Sequence, residues 1–522
     1  MRNWISRRAA AVLTTGVAVA ASMVAATPAQ AIKGGTESTH AYSFMGSFQP
    51  SFPKSPHPDG HGCGVEVLAP QWVLTASHCA GKNPTMARVG VPKGWKVRVG
   101  SLDTRSGGEV AEVDHYYRLA TFDDDVFWGK DVALMHLRTP VRAKPVRIAS
   151  ATPADNSPVR IMGWGMTCDD DTDSACYPHR LREADTVVQP RSKCTEADVG
   201  ELCVGSDDGS VTTGNTDSGG PALVREGRQW AVAGVVSGPD WESGRTRYTD
   251  VTRHADWING IISGAHVPPD DKIPNVEGAV DLGICVGSVV STPASRPQDP
   301  ALMMTNGHCV EGKRPAPGAS LTDQPADREV PIADRQGYPT TTAHAKRLVY
   351  ATMTGTDVAL YRLDQTYAQL KAEGAKVFRL ASSPARAGDS LTMAYPTHRF
   401  HCTAEAVVPH LREGGYQEDH SIRYATGEDC APFFGTSGSA LLAPDGTTVV
   451  GIHNTHNDDG EKCTDNNPCE VGSDGTVTSV KGRGYGQQVY GIASCMTAGS
   501  KLDLSREGCT LTGATPRAGH GR

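Results

Sequence analysis

The chain has 522 residues, more than one hydrophobic core usually serves, so the sequence predicts two or more domains. Its 57 glycines and 34 prolines favour turns over long helices, and its many Val and Thr residues predict an all-β protein. The formal net charge of −8 is spread along the chain without a basic patch, which argues against a nucleic-acid partner.

Residues 1–31 have the pattern of a signal peptide. A basic start precedes an Ala-rich, weakly apolar run over residues 9–26, and an A-x-A cleavage site ends at Ala31. No later stretch is apolar enough to span a bilayer. The sequence therefore predicts a secreted, extracellular protein that begins at Ile32 and has no membrane association after cleavage. The general and the twin-arginine export routes both stay open.

Secretion makes the 14 cysteines a disulfide framework, and each half of the chain holds an even number of them. Sequence does not fix the connectivity, so we adopt the pairing of neighbours in chain order as a hypothesis. The pairs are Cys63–Cys79, Cys168–Cys176, Cys194–Cys203, Cys285–Cys309, Cys402–Cys430, Cys463–Cys469 and Cys495–Cys509. No C-x-x-C spacing occurs, so we expect no structural zinc, and no other metal or cofactor is predicted.

A Pro- and Asp-rich segment at 265–279 separates two halves and is predicted to be a linker. Each half contains short β-rich runs, such as WKVRVGS and DVALMHL in the first and ICVGSVVS and DVALYRL in the second. Matching phrases recur in the same order, so we infer a tandem duplication with domains at 32–264 and 280–511. Residues 512–522 lack apolar periodicity and are predicted to be a disordered tail.

The first half contains a hydroxyl nucleophile and the two side chains that would activate it. His78 lies in TASHC, Asp131 in DVALMHL and Ser218 in TDSGGP. Taken singly, each is weak evidence, because a lone His or a Ser in a Gly-rich turn is usually structural. Their joint order of base, carboxylate and nucleophile predicts a Ser–His–Asp triad.

Residues 32–264 resemble the trypsin-like serine proteases. IKGG, WVLTASHC, DVALMHL, GWG, DSGGP and YTDVTRHADWI follow one another as that family's landmarks do. The resemblance implies a chymotrypsin-like fold, a double antiparallel β-barrel with the triad in the cleft between the barrels. His78 would take the proton from Ser218, and Asp131 would hold the imidazole tautomer.

The same resemblance assigns further residues. Asp217 resembles the carboxylate that pairs with a freed N-terminal ammonium, so signal cleavage would make Ile32 its partner without a propeptide. Thr216 stands at an oxyanion-hole position where the family normally has Gly. Glycine tolerates unusual backbone conformations and close approach of other groups better than threonine does. Thr212 lies at the floor of the primary pocket and Ser237 at its rim. Neither is charged, so no preference for Arg or Lys is implied.

The second half repeats the pattern. His308 lies in TNGHC, Asp357 in GTDVALYRL and Ser437 in GTSGSA, with Gly435 at the oxyanion position and spacings close to those of the first half. A decayed copy would have been free to lose any of the three, so we predict a second working triad. The structural alternative is a Gly-rich turn and a packed histidine beside a disulfide.

The nucleophile of the second half is preceded by Thr436 rather than Asp. A domain that follows a linker has no free ammonium to bury, and an unpaired buried carboxylate would be costly. The SGS motif is similar to that of glutamyl endopeptidases and related bacterial trypsin-like peptidases. VVGIHN echoes their Gly-Ile-His, which makes His453 a candidate for binding an acidic side chain as imidazolium, with an exposed loop as the alternative.

The leading hypothesis is a secreted serine endopeptidase that hydrolyses peptide bonds through an acyl-enzyme, with one triad in each domain and protein or peptide substrates as partners. One alternative keeps a single catalytic domain and makes the other a binding or inhibitory module. A second alternative makes both domains recognition modules on protease scaffolds. Cleavage specificity, physiological substrate and oligomeric state are left open by the sequence.

Overall fold

The computed structural model describes residues 32–513 except 51–56, 82–86, 123, 125, 169, 269–272, 425, 426 and 428. The predicted signal peptide, part of the predicted linker and residues 514–522 therefore lie outside the described residues. Strands dominate the described part, and its longest α-helix, Ala255–Ile262, has eight residues. The all-β prediction is confirmed.

The described residues of the first half form fifteen strands and two α-helices, α1 (Ser77–Ala80) and α2 (Ala255–Ile262). The strands are β1 (Thr36–Glu37), β2 (Met45–Gln49), β3 (Cys63–Ala69), β4 (Trp72–Thr75), β5 (Val89–Gly90), β6 (Lys96–Val99), β7 (Glu109–Arg118), β8 (Ala133–Leu137), β9 (Arg147–Ile148), β10 (Pro158–Gly163), β11 (Arg182–Gln189), β12 (Glu201–Gly205), β13 (Pro221–Glu226), β14 (Gln229–Asp240) and β15 (Arg245–Asp250). Short 3-10 turns lie at Ser174–Cys176, Arg191–Lys193 and Val251–His254.

These strands close two antiparallel barrels of six strands each. The first barrel runs β7–β6–β2–β3–β4–β8 and closes where β8 pairs with β7. The second barrel runs β11–β10–β13–β14–β15–β12 and closes through the pairing of β12 with β11. Strand β6 shows why these segments form barrel walls, because Val97 and Val99 are buried while Lys96 and Arg98 alternate with them on the outer face.

The described residues of the second half form seventeen strands, the helices α3 (Tyr367–Ala372) and α4 (Tyr490–Cys495), and a 3-10 turn at Gly307–Cys309. The strands are β16 (Ala279–Asp281), β17 (Val286–Ser291), β18 (Pro300–Thr305), β19 (Ser320–Ala333), β20 (Pro339–Thr352), β21 (Val358–Thr366), β22 (Phe378–Leu380), β23 (Ser390–Ala394), β24 (Arg399–Glu413), β25 (Tyr416–Tyr424), β26 (Ala440–Leu442), β27 (Thr448–His456), β28 (Cys469–Val471), β29 (Val477–Thr478), β30 (Gly484–Gln488), β31 (Met496–Thr497) and β32 (Lys501–Leu502).

The second half repeats the double barrel. One barrel runs β16–β19–β20–β21–β18–β17 and closes through β16 and β17, and the other runs β27–β26–β23–β24–β25–β30 and closes through β27 and β30. The short strand β22 pairs in parallel with β17 and with β27, so it joins the two barrels into one sheet. The predicted architecture of two double barrels in tandem is confirmed.

Each buried apolar cluster of the described residues draws its fully buried members from one half of the chain. The structure joins the 14 cysteines as chain-order neighbours, in the seven pairs that the sequence analysis adopted. None of the helices in the described segments has the length and apolarity needed to cross a membrane.

The first residue of the predicted tail is held against the second half. The Thr512 hydroxyl donates to the Thr354 carbonyl, and the Tyr350 hydroxyl donates to the Thr512 carbonyl over 3.0 Å. These hydrogen bonds tie Thr512 to Tyr350 at the end of β20 and to Thr354 just after it.

Candidate active sites

In the first half, His78 and Asp131 meet at the end of the first barrel. His78 lies on the turn α1, which follows β4, and Asp131 lies just before β8, the strand that pairs with β4. The Asp131 carboxylate accepts from the His78 amide over 2.8 Å and lies 2.7 Å from Nδ1 of the same residue. Asp131 is fully buried and also accepts from the Ser237 hydroxyl over 3.2 Å. This arrangement orients the imidazole and leaves Nε2 for proton transfer.

Ser218 lies in the turn that leads into β13 of the second barrel. The Gly64 amide donates to the Ser218 carbonyl over 2.8 Å, and the Gly219 amide donates to the Val236 carbonyl over 3.0 Å. Gly219 has φ +75°, and a Cβ there would lie 2.2 Å from Thr75 Oγ1. Only a glycine allows the nucleophile turn to pack this closely against the strand that leads to His78.

The oxyanion position of the first half carries the departure that the sequence indicated. Thr216 has φ 72°, in the left-handed region where a β-branched residue is strained. His61 Nε2 donates to the Thr216 carbonyl over 3.1 Å, and Ser47 Oγ lies 2.8 Å from His61 Nδ1. The sequence analysis missed His61, because the contact joins residues 155 positions apart and leaves no local pattern.

Asp217 is buried directly beside Ser218. Its two carboxylate oxygens accept from the amides of Gly165 (2.7 Å) and Gly214 (2.8 Å). Burial raises the pKa of Asp217 to about 7, although both hydrogen bonds oppose the shift. Ile32 is fully buried in the core of the second barrel. The next residue, Lys33, forms an isolated antiparallel bridge with Thr212.

The predicted pocket residues of the first half meet a third threonine. Thr246 Oγ1 lies 2.9 Å from Thr212 Oγ1 and 2.8 Å from Thr213 Oγ1. Thr246 is 1% exposed. Ser237, expected at the pocket rim, donates its hydroxyl to Asp131. The three threonine hydroxyls bring no charge to the place where the floor of the primary pocket is expected.

The second half repeats the histidine and carboxylate geometry. The Asp357 carboxylate accepts from the His308 amide over 3.1 Å and lies 2.6 Å from His308 Nδ1. The Asn306 side-chain amide donates to the Asp357 carbonyl over 2.8 Å and fixes the loop that carries the carboxylate. Burial lowers the pKa of His308, but the attraction of Asp357 outweighs it, so that the pKa lies above its usual value.

The Ser437 carbonyl accepts a backbone hydrogen bond as that of Ser218 does, and the Ser437 hydroxyl donates to a main-chain carbonyl. The Val286 amide donates to the Ser437 carbonyl over 2.7 Å, and the Ser437 hydroxyl donates to the Asn454 carbonyl over 3.1 Å. Gly435 takes φ 102° at the oxyanion position without strain. Thr436 replaces the aspartate and satisfies its hydroxyl on the Phe433 carbonyl over 2.6 Å.

A cavity of about 310 Å³ lies beside His308, Asp357 and Ser437. Its walls include these three residues, the hairpin between β24 and β25, and the end of β27 with the segment that follows it. Named by residue, it is lined by Ile284, Cys285, His308, Arg314, Met353, Asp357, Glu413, Gly414, Tyr416, Glu418, Phe433, Phe434, Gly435, Ser437, Asn454, Thr455, His456, Asp458, Asp465 and Asn466.

The structure does not support the role expected of His453. Its side chain is 1% exposed, bonds to the Tyr424 hydroxyl, and is not among the residues that line the cavity. Burial, followed by repulsion from His456 and His308, lowers its pKa well below the usual value. We correct the prediction, because a buried neutral imidazole does not offer the positive charge that an acidic side chain would need.

Three groups of side chains in the described residues have the proximity that a metal site requires. Two of them combine His78 or His308 with cysteines that are tied up in disulfides. The third joins Asp114, His115 and His136 on β7 and β8, where the Asp114 carboxylate already bonds to both imidazoles at 3.2 and 2.7 Å.

Comparison with known proteins places both halves. Residues 32–258 match the Trypsin family, and residues 283–452 match the Trypsin-like peptidase domain. The thrombin-like enzyme elegaxobin-1 of Protobothrops elegans is 33% identical over 219 residues, which cover 40% of this chain and 88% of that enzyme. Snake venom serine protease Haly-2 of Gloydius brevicauda is 33% identical over 218 residues, which cover 40% of this chain and 80% of that protease.

Among solved structures, neuropsin, a serine protease expressed in the limbic system of mouse brain, aligns with a TM-score of 0.36 at 22% identity. That alignment covers 44% of this chain and 98% of neuropsin. The family matches and the venom relatives decide the assignment. The chain belongs to the trypsin-like serine proteases, as a serine endopeptidase with two trypsin-like domains in tandem.

Proposed function

We propose that the protein is a secreted endopeptidase with two catalytic triads, His78–Asp131–Ser218 and His308–Asp357–Ser437. The observation that carries the proposal is the repeated carboxylate–imidazole contact, 2.7 Å in the first half and 2.6 Å in the second. A second copy without a function would be under no pressure to keep this contact, since a packed histidine needs no buried carboxylate at Nδ1.

The chemistry would proceed in two halves at either site. His78 or His308 removes the hydroxyl proton of its serine as Oγ attacks the peptide carbonyl, and the same proton then goes to the leaving amine. The acyl-enzyme is hydrolysed when the imidazole activates a water molecule in the same way. Backbone amides at the oxyanion positions, Thr216 and Gly435, stabilise the negative oxygen of the tetrahedral intermediates.

We further propose that signal cleavage activates the first site. A new ammonium group at Ile32 would pair with Asp217, whose pKa of about 7 reflects a buried carboxylate opposed only by two amides. Supporting this, Ile32 is buried in the core cluster of the second barrel. A chain with one extra residue before Ile32 should lose most activity at Ser218 and keep activity at Ser437. Equal activity at both sites would contradict the proposed pair.

The domain limits, 32–264 and 280–511 joined by 265–279, are part of the proposal, as is secretion through residues 1–31. Extracellular folding is supported by the seven disulfides and the secreted type of the venom relatives. Protein or peptide substrates follow from the family, and the proposal includes no cofactor.

Labelling of the mature protein with a fluorophosphonate, followed by peptide mapping, tests both triads at once. The reagent reacts with a serine that is activated and has a formed oxyanion hole, so we expect adducts on Ser218 and Ser437. Ser218→Ala and Ser437→Ala variants should each lose one adduct and keep the other. Label on Ser437 alone would favour the alternative with a single catalytic domain. The strain at Thr216 would then explain why the first domain is the inactive one. Label on neither serine in folded protein would overturn the proposal.

A further inference from the structure

The hairpin formed by β24 and β25 presents two carboxylates to the second cavity. Glu413 and Tyr416 are register partners, and Glu418 lies two residues further along β25. Because side chains alternate along a strand, these three share one face of the hairpin. All three line the cavity that also contains His308 and Ser437.

The tip of this hairpin reaches both walls of the cavity. The Tyr416 hydroxyl donates to the Pro315 carbonyl over 3.0 Å, in the segment that follows His308. On the other side, the Gly414 amide donates to the Cys463 carbonyl over 3.2 Å, and the Asn466 amide donates to Glu413 Oε1 over 2.8 Å. The hairpin therefore encloses one end of the cavity between the histidine segment and the loop closed by the Cys463–Cys469 disulfide.

Glu418 is the more isolated of the two carboxylates. It is 2% exposed, and its Oε2 atom has no hydrogen-bond partner within the described structure. Burial, followed by repulsion from Asp357 and Glu413, raises its pKa well above the usual value. Burial also raises the pKa of Glu413 to about 7, against hydrogen bonds from Thr455 and Asn466. Such a pair is costly unless a positive charge is placed between the carboxylates.

No ion pair in the described segments involves Glu413 or Glu418. Arg314 lines the same cavity, and a protonated His308 attracts Glu413. The nearby imidazoles have other partners, since His308 bonds to Asp357 and His456 lies 2.7 Å from Asp458. Elsewhere the cavity wall includes the exposed apolar side chains of Ile284 and Phe434, which are 69% and 77% exposed.

We propose that Glu413 and Glu418 bind a positively charged group of the substrate, either the free α-ammonium of a peptide or a Lys or Arg side chain. This inference rests on the proposed peptidase function of Ser437. It reverses the acidic preference that the sequence suggested for the second domain, because the groups at the enclosed end of the cavity are carboxyls, and a cation bound beside them favours their ionised form. The first domain, whose pocket floor carries only threonine hydroxyls, should show no such preference.

The test uses the full-length mature chain with Ser218→Ala, so that only the second site acts. Fluorogenic peptides are compared in two matched pairs: free against acetylated N-terminus, and Lys against norleucine at each position flanking the cleaved bond. We expect kcat/KM to be at least about ten-fold higher for one cationic member than for its neutral partner. Loss on acetylation identifies the α-ammonium as the bound group, and loss on the norleucine exchange identifies a side chain.

The variants E418Q and E413Q keep the shape of each side chain and replace its carboxyl with a neutral amide. Each should bring the ratio of kcat/KM for the cationic peptide to kcat/KM for its neutral partner close to one, a change that a purely structural role would not produce. The matched control E507Q removes a charge from an exposed glutamate outside the cavity and should leave the preference intact.

Fluorophosphonate labelling of Ser437 separates the two ways of failing. Without label on the parent chain, the proposed function of the second site is wrong and the recognition site falls with it. With label, equal cleavage of charged and neutral peptides overturns the recognition site and leaves the triad standing. A preference that survives in both labelled glutamine variants overturns it as well, and E413Q decides alone if E418Q does not take the label.

Discussion

Thr216 and Gly435, the residues proposed to form the oxyanion holes, both have a backbone with positive φ, 72° and 102°. Glycine adopts such angles freely, whereas a β-branched residue pays for them with steric strain of about 1–2 kcal/mol. Thr216 also buries a hydroxyl that lacks a hydrogen-bond partner in the described structure. The hydrogen bond from His61 to the Thr216 carbonyl therefore holds this backbone in place despite the strained φ and the unsatisfied hydroxyl of Thr216.

The variant Thr216→Gly should relieve this strain. We expect the free energy of unfolding to rise by no more than about 1 kcal/mol, because the added glycine entropy of the unfolded chain offsets part of the gain. The rate of fluorophosphonate labelling at Ser218 should stay equal or increase. The reverse exchange, Gly435→Thr, is the matched control and should slow labelling at Ser437. Slower labelling at Ser218 in Thr216→Gly would contradict the strain argument.

A second prediction at this scale concerns the pKa of His308. Since that pKa lies above its usual value near 6.5, the imidazole stays protonated to higher pH. The base form that catalysis needs is therefore lost as the pH falls through this raised pKa. In a Ser218→Ala chain, the acid limb of kcat/KM at the second site should fall above pH 6.5.

Asp357→Asn should lower activity at the second site by about 10⁴-fold and move the acid limb to lower pH, because burial then acts without its counter-charge. The pH profile of kcat/KM measures both effects. The first site, measured in a Ser437→Ala background, serves as the control and should be unaffected by Asp357→Asn. An unmoved acid limb would show that Asp357 does not set the pKa of His308.

At the scale of elements, the second domain is distinguished by the hairpin β24–β25 and by the loop that the Cys463–Cys469 disulfide closes. The register pairs residues 410–412 of β24 with residues 469–471 of β28. Cys469, which closes the disulfide loop, therefore lies beside the end of β24 near the hairpin tip. The loop supplies the Cys463 carbonyl and the Asn466 amide to the hairpin tip. These hydrogen bonds set the position of Glu413 without entering the chemistry.

Removal of this disulfide by a double Cys463→Ala and Cys469→Ala change should cost about 2 kcal/mol of stability, since the loop it closes is short. It should also reduce the preference for cationic substrates, because Glu413 loses its fixed position. Removal of Cys402 and Cys430, which close a loop of 28 residues, should cost more stability and leave the preference intact. Chemical denaturation and kcat/KM ratios measure the two effects. An unchanged ratio in the first variant would separate the loop from substrate recognition.

At the scale of the whole molecule, the two halves contact each other through few groups. The Tyr338 hydroxyl accepts from the Lys93 amide over 3.3 Å, and the Lys93 ammonium lies 3.7 Å from the Asp334 carboxylate. Lys93 is largely exposed, so this pair adds little to stability. Among the described residues, each half contains its own barrels, buried apolar clusters and disulfides, which predicts that each half folds on its own.

Separate chains ending at residue 264 and beginning at residue 273 should therefore each fold. We expect two calorimetric transitions in the intact protein that match those of the separate halves within a few degrees, because few contacts cross between them. Each half should keep the fluorophosphonate reactivity of its own serine. A half that is unfolded when alone would show that the contacts between halves contribute more than their number implies.

Much of the protein was predictable from sequence because the informative residues are local. HC next to a strand, DVAL before a strand and a Gly-flanked serine each identify a turn whose backbone demands those residue types. Chain order then predicted both triads, which stay a proposal, and the even spacing of short β-rich runs correctly predicted the barrels. Neighbouring cysteines were paired as the structure has them, since the loops they close are short.

What the sequence could not determine are contacts between distant segments. His61 on Thr216, Thr246 on the floor of the first pocket, and the hairpin carboxylates beside Asp357 join residues that no local pattern links. His453 was misjudged for the same reason, because only packing around Tyr424 decides that the imidazole is buried and neutral. Turn chemistry and β-periodicity in the sequence were enough to predict the fold and to propose the reacting groups. The burial of His453, Glu413 and Glu418 came only from the folded chain, because burial and the pairing of charges depend on segments that are distant in sequence.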